Sequence, residues 1–490
     1  MAAPTQGETP DGAAGRSPDG PQGAAQRGRP AKFLSGNLFG HVSVMSLTAS
    51  VGLMGIFFVD FLDMVFIAML GKAELAAAVG YAAAILFFTT SFGIGMAISA
   101  GALVSRALGA GDEEVARERA TNALIYGVLS GAVFAALVWS QLEWLVALMG
   151  ATGETAVLAV HYLAIIVPFL PFLIVGMVGG AILRAHGDAR RAMYATLYGG
   201  GVNAVLDPIL IFGLGLDLTG AALASVAARV VMAATSLLPI LKHYGGFKRP
   251  TWRSLARDFP PVLAIAGPAI LTQLATPVGQ AYVTRAMAEF GELAVAGMAI
   301  VGRLTPLAFG VIFALSGAVG PIIGQNHGAG NAERVRGAFR AGLIFTALVV
   351  VAVSALLFGL RRPIADLFGA YGITRELVYL FCGPLALLFF FNGMLFVSNA
   401  AFNNLGRPLY STGVNWARHT LGTIPLVMIG AALFGAPGVL IGQALGGMIF
   451  GLLALVLAGR VMAQTNAGGP QPEAPFQLQA RLLSLLHLRR

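Results

Sequence analysis

Two acids and an amide stand in sequence that otherwise reads as lipid-facing. In GGGVNAVLDPILIFG, residues 199–213, Asn203 and Asp207 lie four residues apart and so share one face of a helix. In FFVDFLDMVFIAMLG, residues 57–71, Asp60 and Asp63 lie about one turn apart. A carboxylate at the centre of a membrane helix costs about 2.5–3.5 kcal/mol on insertion scales. Neither segment holds a Lys or Arg to offset that cost. A carboxylate withdrawn from water clings to a proton, which suits a group that loads on one side of a membrane and unloads on the other. Two such carboxylates brought together titrate as a unit. The oxygens of Asp63, Asn203 and Asp207 are equally the hard ligands that a sodium ion requires, so the residues alone leave both ions open. The competing expectation is a plain ion pair with an arginine from another span, such as Arg229. It weighs most for Asp60.

These residues need a membrane bundle to position them. Hydrophobic residues make up 57% of the chain and charged residues 11%, where a soluble domain carries about 25% charged. Mean hydropathy is +0.79. Apolar runs near or above the roughly 20 residues needed to cross a bilayer recur along almost the whole chain. Its 64 glycines and 24 prolines are tolerated in membrane helices, where small residues allow close packing and neighbours satisfy freed backbone groups. The net charge of +9 is placed mostly in short loops, the positive-inside pattern rather than a nucleic-acid surface. Arg106, Arg117 and Arg119 follow the second run, Arg190 and Arg191 the fourth, and Lys242, Lys248, Arg249, Arg253 and Arg257 the sixth. Arg334, Arg336 and Arg340 follow the eighth, and the alternate loops are nearly free of such residues. Both termini are therefore expected on the cytoplasmic side of a plasma (inner) membrane. Cys382 is the only cysteine, so no internal disulfide forms.

Twelve transmembrane helices are expected, in an all-α fold. Residues 1–40 read as a disordered cytoplasmic leader, 41–243 as an N-terminal six-helix bundle, and 244–260 as a cytoplasmic linker. Residues 261–460 read as a C-terminal six-helix bundle, and 461–490 as a tail ending in the amphipathic LQARLLSLLHLRR. The halves repeat each other at an offset of 218 or 219. KAELAAAVGYA at 72–82 matches FGELAVAGMAI at 290–300, and SRALGAGDEEVARERA at 105–120 matches GQNHGAGNAERVRGAF at 324–339. LRAHGDARRAM at 183–193 matches FNNLGRPLYST at 402–412, and LTGAALASVAA at 218–228 matches APGVLIGQALG at 436–446. Six is an even number of spans, so the halves share one orientation and are related by a pseudo-twofold axis along the membrane normal. That construction places a site between or within the halves and suits alternating access.

The second half does not repeat the acids: at an offset of 219, Asp207 falls on Leu426 and Asn203 on Gly422. Softer cavity candidates are Gln273 and Gln280 in the seventh span, Arg303 in the eighth, Asn392 and Asn399 in the tenth, and Asn415, Arg418 and His419 in the eleventh. Hydrogen bonding between helices is the competing account of each. No Walker A sequence and no Cys/His cluster with metal-ligand spacing is present, and no nucleophile has an evident base. The expectation is a monomeric transporter, not an enzyme. It has no cofactor, no resident metal and no nucleic-acid partner. It works on small hydrophobic or cationic molecules among membrane lipids.

VDFLDMVFIAMLGKAELAAAVG at 59–80, GAGDEEVARERA at 109–120, LRAHGDARRAMYATLYGGGVNAVLDPILIFGLGLDLTGAALAS at 183–225 and GQNHGAGNAERV at 324–335 together resemble the MATE family, the multidrug and toxic compound extrusion transporters. The resemblance covers nearly all of residues 42–460. The family places an acid eight residues before the glycine that closes the first span; here that is Asp63 before Gly71, so the resemblance gives the ion-coupling role to Asp63 rather than Asp60. The fifth-span NxxxDP gives the same role to Asn203 and Asp207. It implies export of cationic, amphipathic compounds in exchange for H⁺ or Na⁺. The acids are placed more as in DinF-type than NorM-type members, which favours protons. The alternative within the same superfamily is a lipid-linked sugar flippase, for which Arg303 and Arg418 are the residues that would hold a pyrophosphate.

Overall fold

The computed structural model describes residues 31–467, and every regular element among them is helical. Eleven stretches are long and apolar enough to cross a membrane: α1 (Leu38–Met69), α2 (Ala73–Gly109), α3 (Glu113–Ser140), α4 (Gly153–Ala185), α5 (Ala189–Gly213), α6 (Asp217–His243), α7 (Trp252–Ala288), α8 (Glu292–Gly328), α9 (Ala332–Leu367), α10 (Gly372–Asn404) and Pro408–Thr465. The protein is a multi-pass membrane protein. The last stretch holds two passes. Gly435 takes φ +64°, ψ −142° inside it, a conformation open mainly to glycine, and the chain reverses there into α11 (408–434) and α12 (436–467). A methyl group on Gly430 would strike the backbone of Gly438, and one on Gly442 or Gly446 would strike that of Leu426 or Gly422. Each pair lies one turn farther from Gly435 on both arms, the pattern of two antiparallel helices closing on small residues. The described residues thus make twelve passes, with no loop between the last two.

The repeated motifs act as repeated turns. Gly111 and Gly330, equivalent in the two halves, both stand at positive φ, +80° and +69°, and so do Gly187 and Gly406, at +79° and +77°. The next residues, Asp112 and Asn331, each cap the following helix through a side-chain oxygen, to Val115 N at 2.9 Å and Arg334 N at 3.0 Å. The halves then meet in reciprocal fashion. Gly109 of α2 seats against the main chain of Gln325 on α8, and Gly328 of α8 against that of Arg106 on α2. Arg106 donates to the carbonyls of Asn404 and Asn403 at 2.8 and 2.9 Å, while its repeat equivalent Gln325 donates to the carbonyl of Ala185, the equivalent of Asn404, at 2.7 Å. Around this axis α1 packs on α8 and α2 on α7.

The halves are shut together at the face that carries the basic loops. A short turn, Lys32–Leu34, runs between them. Phe33 is buried; its N–H donates to Gln325 Oε1 at 2.8 Å and its carbonyl accepts from Asn326 and Arg334. Arg334 also donates to the carbonyls of Ser35 and Gly36, and Lys32 donates to the carbonyl of Gly187 at 2.7 Å. The leader expected over 1–40 therefore gives up its last residues to the folded body, because these main-chain groups find partners there; residues 1–30 lie outside the described residues. On the same face Glu118 of α3 takes Lys248 at 3.1 Å and Arg257 at 2.6 Å, and buried Asp258 takes Asn122 at 2.7 Å. The linker expected over 244–260 is shorter, since Thr251 and Ser254 form a capping box that starts α7 at Trp252. At the other end α12 runs to Ala467, and the amphipathic end of the tail lies outside the described residues.

Farther from the basic face the contact between α1 and α8 ends. Gly310 of α8 meets Met54 of α1, whereas Leu307 and Arg303, one and two turns along the same stripe, are exposed.

Candidate functional site

The glycine triplet before Asn203 explains how the acids come together. Gly199 lets α5 approach Ala228 and Met232 of α6, and Gly200 lets it approach Val59 of α1. One turn later, Asn203 projects toward Asp63 of α1. Its Nδ2 donates to Asp63 Oδ1 at 2.8 Å and to Asp207 Oδ2 at 3.1 Å. The carboxyl groups of Asp63 and Asp207 lie within hydrogen-bonding reach of each other. Just beyond, Pro208 brings no N–H and the helix widens into a π-turn over Ile209–Gly213.

Asp207 is fully buried and Asn203 is 3% exposed. Among the described residues no basic side chain bonds to them: Arg229 turns instead to the carbonyl of Ile166, at 2.8 Å. The simple ion pair with Arg229 is therefore not formed. Asn203 Oδ1 and Asp207 Oδ1 are buried and accept no hydrogen bond. Two neighbouring carboxylates bridged by one amide, with acceptor oxygens of Asn203 and Asp207 orphaned, call for a cation among them, since like charges in so dry a place repel and go unsolvated. A proton shared by the acids, or a sodium ion held by oxygens of Asp63, Asn203 and Asp207, fits this set of donors.

Asp60 stands one turn from Asp63 but is exposed and makes no hydrogen bond among the described residues. The other polar candidates divide. Asn399 accepts from Asn415 at 3.2 Å and Asn415 also donates to the carbonyl of Ser411, so this pair is a cross-link between α10 and α11. Gln280 of α7 accepts from Gln443 of α12 at 3.2 Å. Gln273 is half-buried on α7. His419 packs onto Gly279 of α7 with Nε2 unpartnered, and Asn392 Oδ1 is likewise buried and unpartnered. Arg418 opens the π-turn Arg418–Gly422, and its guanidinium lies near Asn392 above Gly447 of α12.

Sequence reasoning missed Arg184. Its guanidinium reaches Gly317 of α8, between the halves. Standing at the end of a span, it was indistinguishable from a loop residue. Gln443 and Gly447 were also missed, because a lone glutamine and one glycine among many carry no signal until other helices are placed beside them. A groove of about 400 Å³ beside Phe92, Leu129 and Phe134 is an open apolar surface that holds none of the candidate residues.

The MatE family profile matches residues 49–209 and 268–429. The chain is 29% identical over 437 residues to a FAD transporter of Shewanella oneidensis, an alignment that spans 86% of this chain and 95% of the relative. It is 24% identical over 430 residues to the multidrug export protein MepA of Staphylococcus aureus, spanning 86% and 92%. Among solved structures it superposes on an outward-facing multidrug resistance MATE family transporter of the MOP superfamily with a TM-score of 0.83 at 22% identity, covering 90% of this chain and all of the other. A MATE crystal structure in complex with MaL6 gives 0.84 at 22% identity over the same shares.

Proposed function

The chain belongs to the MATE family of membrane transporters, and on that footing we propose that it is a secondary active exporter that expels amphipathic organic molecules in exchange for H⁺ or Na⁺. The observation that carries this reading is the set Asp63, Asn203 and Asp207: two carboxyl groups in contact, one amide donating to both, and two acceptor oxygens left without a donor. A cation completes that set and satisfies its oxygens. Its departure leaves two negative charges side by side, and arrival of the next cation relieves them. A site whose energy depends so strongly on occupancy drives the rocking of one half against the other, and the reciprocal seam of α2 and α8 is where that rocking opens and closes.

The acid placement favours the proton over sodium. Both chain ends and the basic loops lie on the cytoplasmic side of the plasma (inner) membrane in this reading, following the positive-inside rule. The protein acts as a monomer. A multidrug cargo that is cationic suits the acids of the first half and the kinship with MepA. Kinship with a FAD transporter supports a second cargo class, flavin nucleotides. Flipping of a lipid-linked sugar is the alternative, favoured by Arg303 and Arg418 alone.

The test is dye efflux from liposomes holding the purified protein, with a pH gradient and a sodium gradient imposed separately. Efflux under one gradient, lost in Asp63→Asn and in Asp207→Asn, supports the reading and names the ion. Full efflux by both variants would overturn it.

A further inference from the structure

The second half holds a charge that no acid among the described residues balances. Arg418 lies on α11 within the membrane, half-buried, and its guanidinium has neither a hydrogen bond nor an acid partner among the described residues. A guanidinium does not shed its proton, so the charge persists, and a buried unpaired charge is costly. The acids of α7–α12 all stand at helix ends: Asp258, Glu289, Glu292, Glu333, Asp366 and Glu376. Polar groups and a bare glycine surround the guanidinium. A Cβ placed on Gly447 of α12 would lie 3.8 Å from both Arg418 Nε and Nη2 and 3.4 Å from Asn392 Oδ1. The arginine and the carboxamide thus converge over a glycine without bonding to each other. Asn392 Oδ1 has no donor, and a half-turn of the amide presents Nδ2 to the same space. One turn before Gly447, Gln443 bonds to Gln280. The π-turn that begins at Arg418 interrupts regular packing there, as such turns do at ligand sites.

The geometry points to an anion-binding notch formed by Arg418, Asn392 and Gly447, which receives a phosphate or carboxylate group of the cargo. The notch rests on the transporter reading above and deepens it. The first half binds the coupling cation, and the second selects cargo whose amphipathic body ends in an anion. A planar guanidinium offers a paired set of N–H donors to such a group, and a side chain in place of Gly447 would fill the space the anion needs.

Flavin mononucleotide and riboflavin differ by one phosphate and report their own binding by fluorescence. Titrated into the purified full-length protein in detergent, with no ion gradient, flavin mononucleotide should bind more tightly than riboflavin. Arg418→Gln should weaken it about tenfold or more, the worth of a charge-assisted hydrogen bond, while riboflavin binding holds. Arg418→Lys should restore part of the loss. Gly447→Ala should weaken the phosphate-bearing ligand selectively; its methyl makes only ordinary contacts, so this variant keeps the test alive if Arg418→Gln does not fold. Equal affinity for the two flavins, or a ratio unmoved by Arg418→Gln and Gly447→Ala, overturns the notch. Competition by phosphatidylglycerol assigns its phosphate to a lipid headgroup, and absence of competition assigns it to a soluble cargo. Because no gradient is present, a chain that discriminates the flavins yet couples to neither ion sinks the exporter reading and leaves the notch standing.

Discussion

Asp63 and Asn203 are joined by a 2.8 Å hydrogen bond between α1 and α5, and the same amide nitrogen holds Asp207. One donor therefore sets the separation of two acids. Asn203→Ala should leave the fold in place and let the carboxyl groups drift apart, lowering gradient-driven dye efflux about tenfold or more, on the scale of one charge-assisted hydrogen bond. Asn203→Asp, which replaces the donor with a third acid, should abolish efflux. Wild-type rates in Asn203→Ala would remove the amide from the coupling set.

Gly109 and Gly328 occupy equivalent places in the reciprocal seam, each against the main chain of the other helix. A methyl group at either point cannot be accommodated without moving α2 from α8. Gly109→Ala and Gly328→Ala should each cost about 1–3 kcal/mol of the closed arrangement, as overpacking does. Thermal denaturation in detergent should show two losses of similar size. A loss in only one variant would contradict the reciprocity.

Phe33 is the buried anchor of the Lys32–Gly36 segment, and Phe33→Ala should free the basic face to open. Ser105, fully buried near Asn404 where the halves meet, is a reporter of that opening. In a Cys382→Ala background, Ser105→Cys should react slowly with a water-soluble maleimide, and adding Phe33→Ala should speed labelling about tenfold or more. An unchanged rate would show that the segment fills the seam without holding it.

Asp188 caps α5 outside the membrane and accepts from Arg191 Nη1 at 2.6 Å and Tyr244 at 2.8 Å. Burial works to raise its carboxyl, but the hydrogen bonds from Tyr244 and Arg191 outweigh it and hold the group below its ordinary 3.8. Its contribution is full above that value and fades as pH falls through the lowered one. Burial, joined by the neighbouring Asp188, pushes the Tyr244 hydroxyl up to about 12 from 10.0, so its contribution is full below 10 and fades as pH rises toward 12. The gap in thermal midpoint between wild type and Asp188→Asn should thus be flat near neutrality and shrink in acid. A gap that grew in acid would refute the assignment.

Much of this was legible in the residues. The repeated GAGD and GAGN motifs marked equivalent turns because a left-handed glycine followed by a capping oxygen has few structural uses. The acids of the first half stood out because an uncompensated carboxylate in an apolar run is costly wherever the helix goes. Pairings across helices were hidden. Nothing in the order of residues says that Asn399 is satisfied by Asn415 while Asn392 is left open over Gly447, since that depends on which faces three helices turn to one another. Phe33 was hidden for another reason. A single aromatic at the edge of a polar leader has no period to betray it, and its slot is built from residues near 187 and 325.

The segment Lys32–Gly36 also fixes how the chain can be cut and decorated. A shortened version that starts at α1 itself removes the carbonyls that Asn326 and Arg334 hold. A bulky fusion partner or an immobilising tag joined just before Lys32 therefore pulls directly on the closure between the halves.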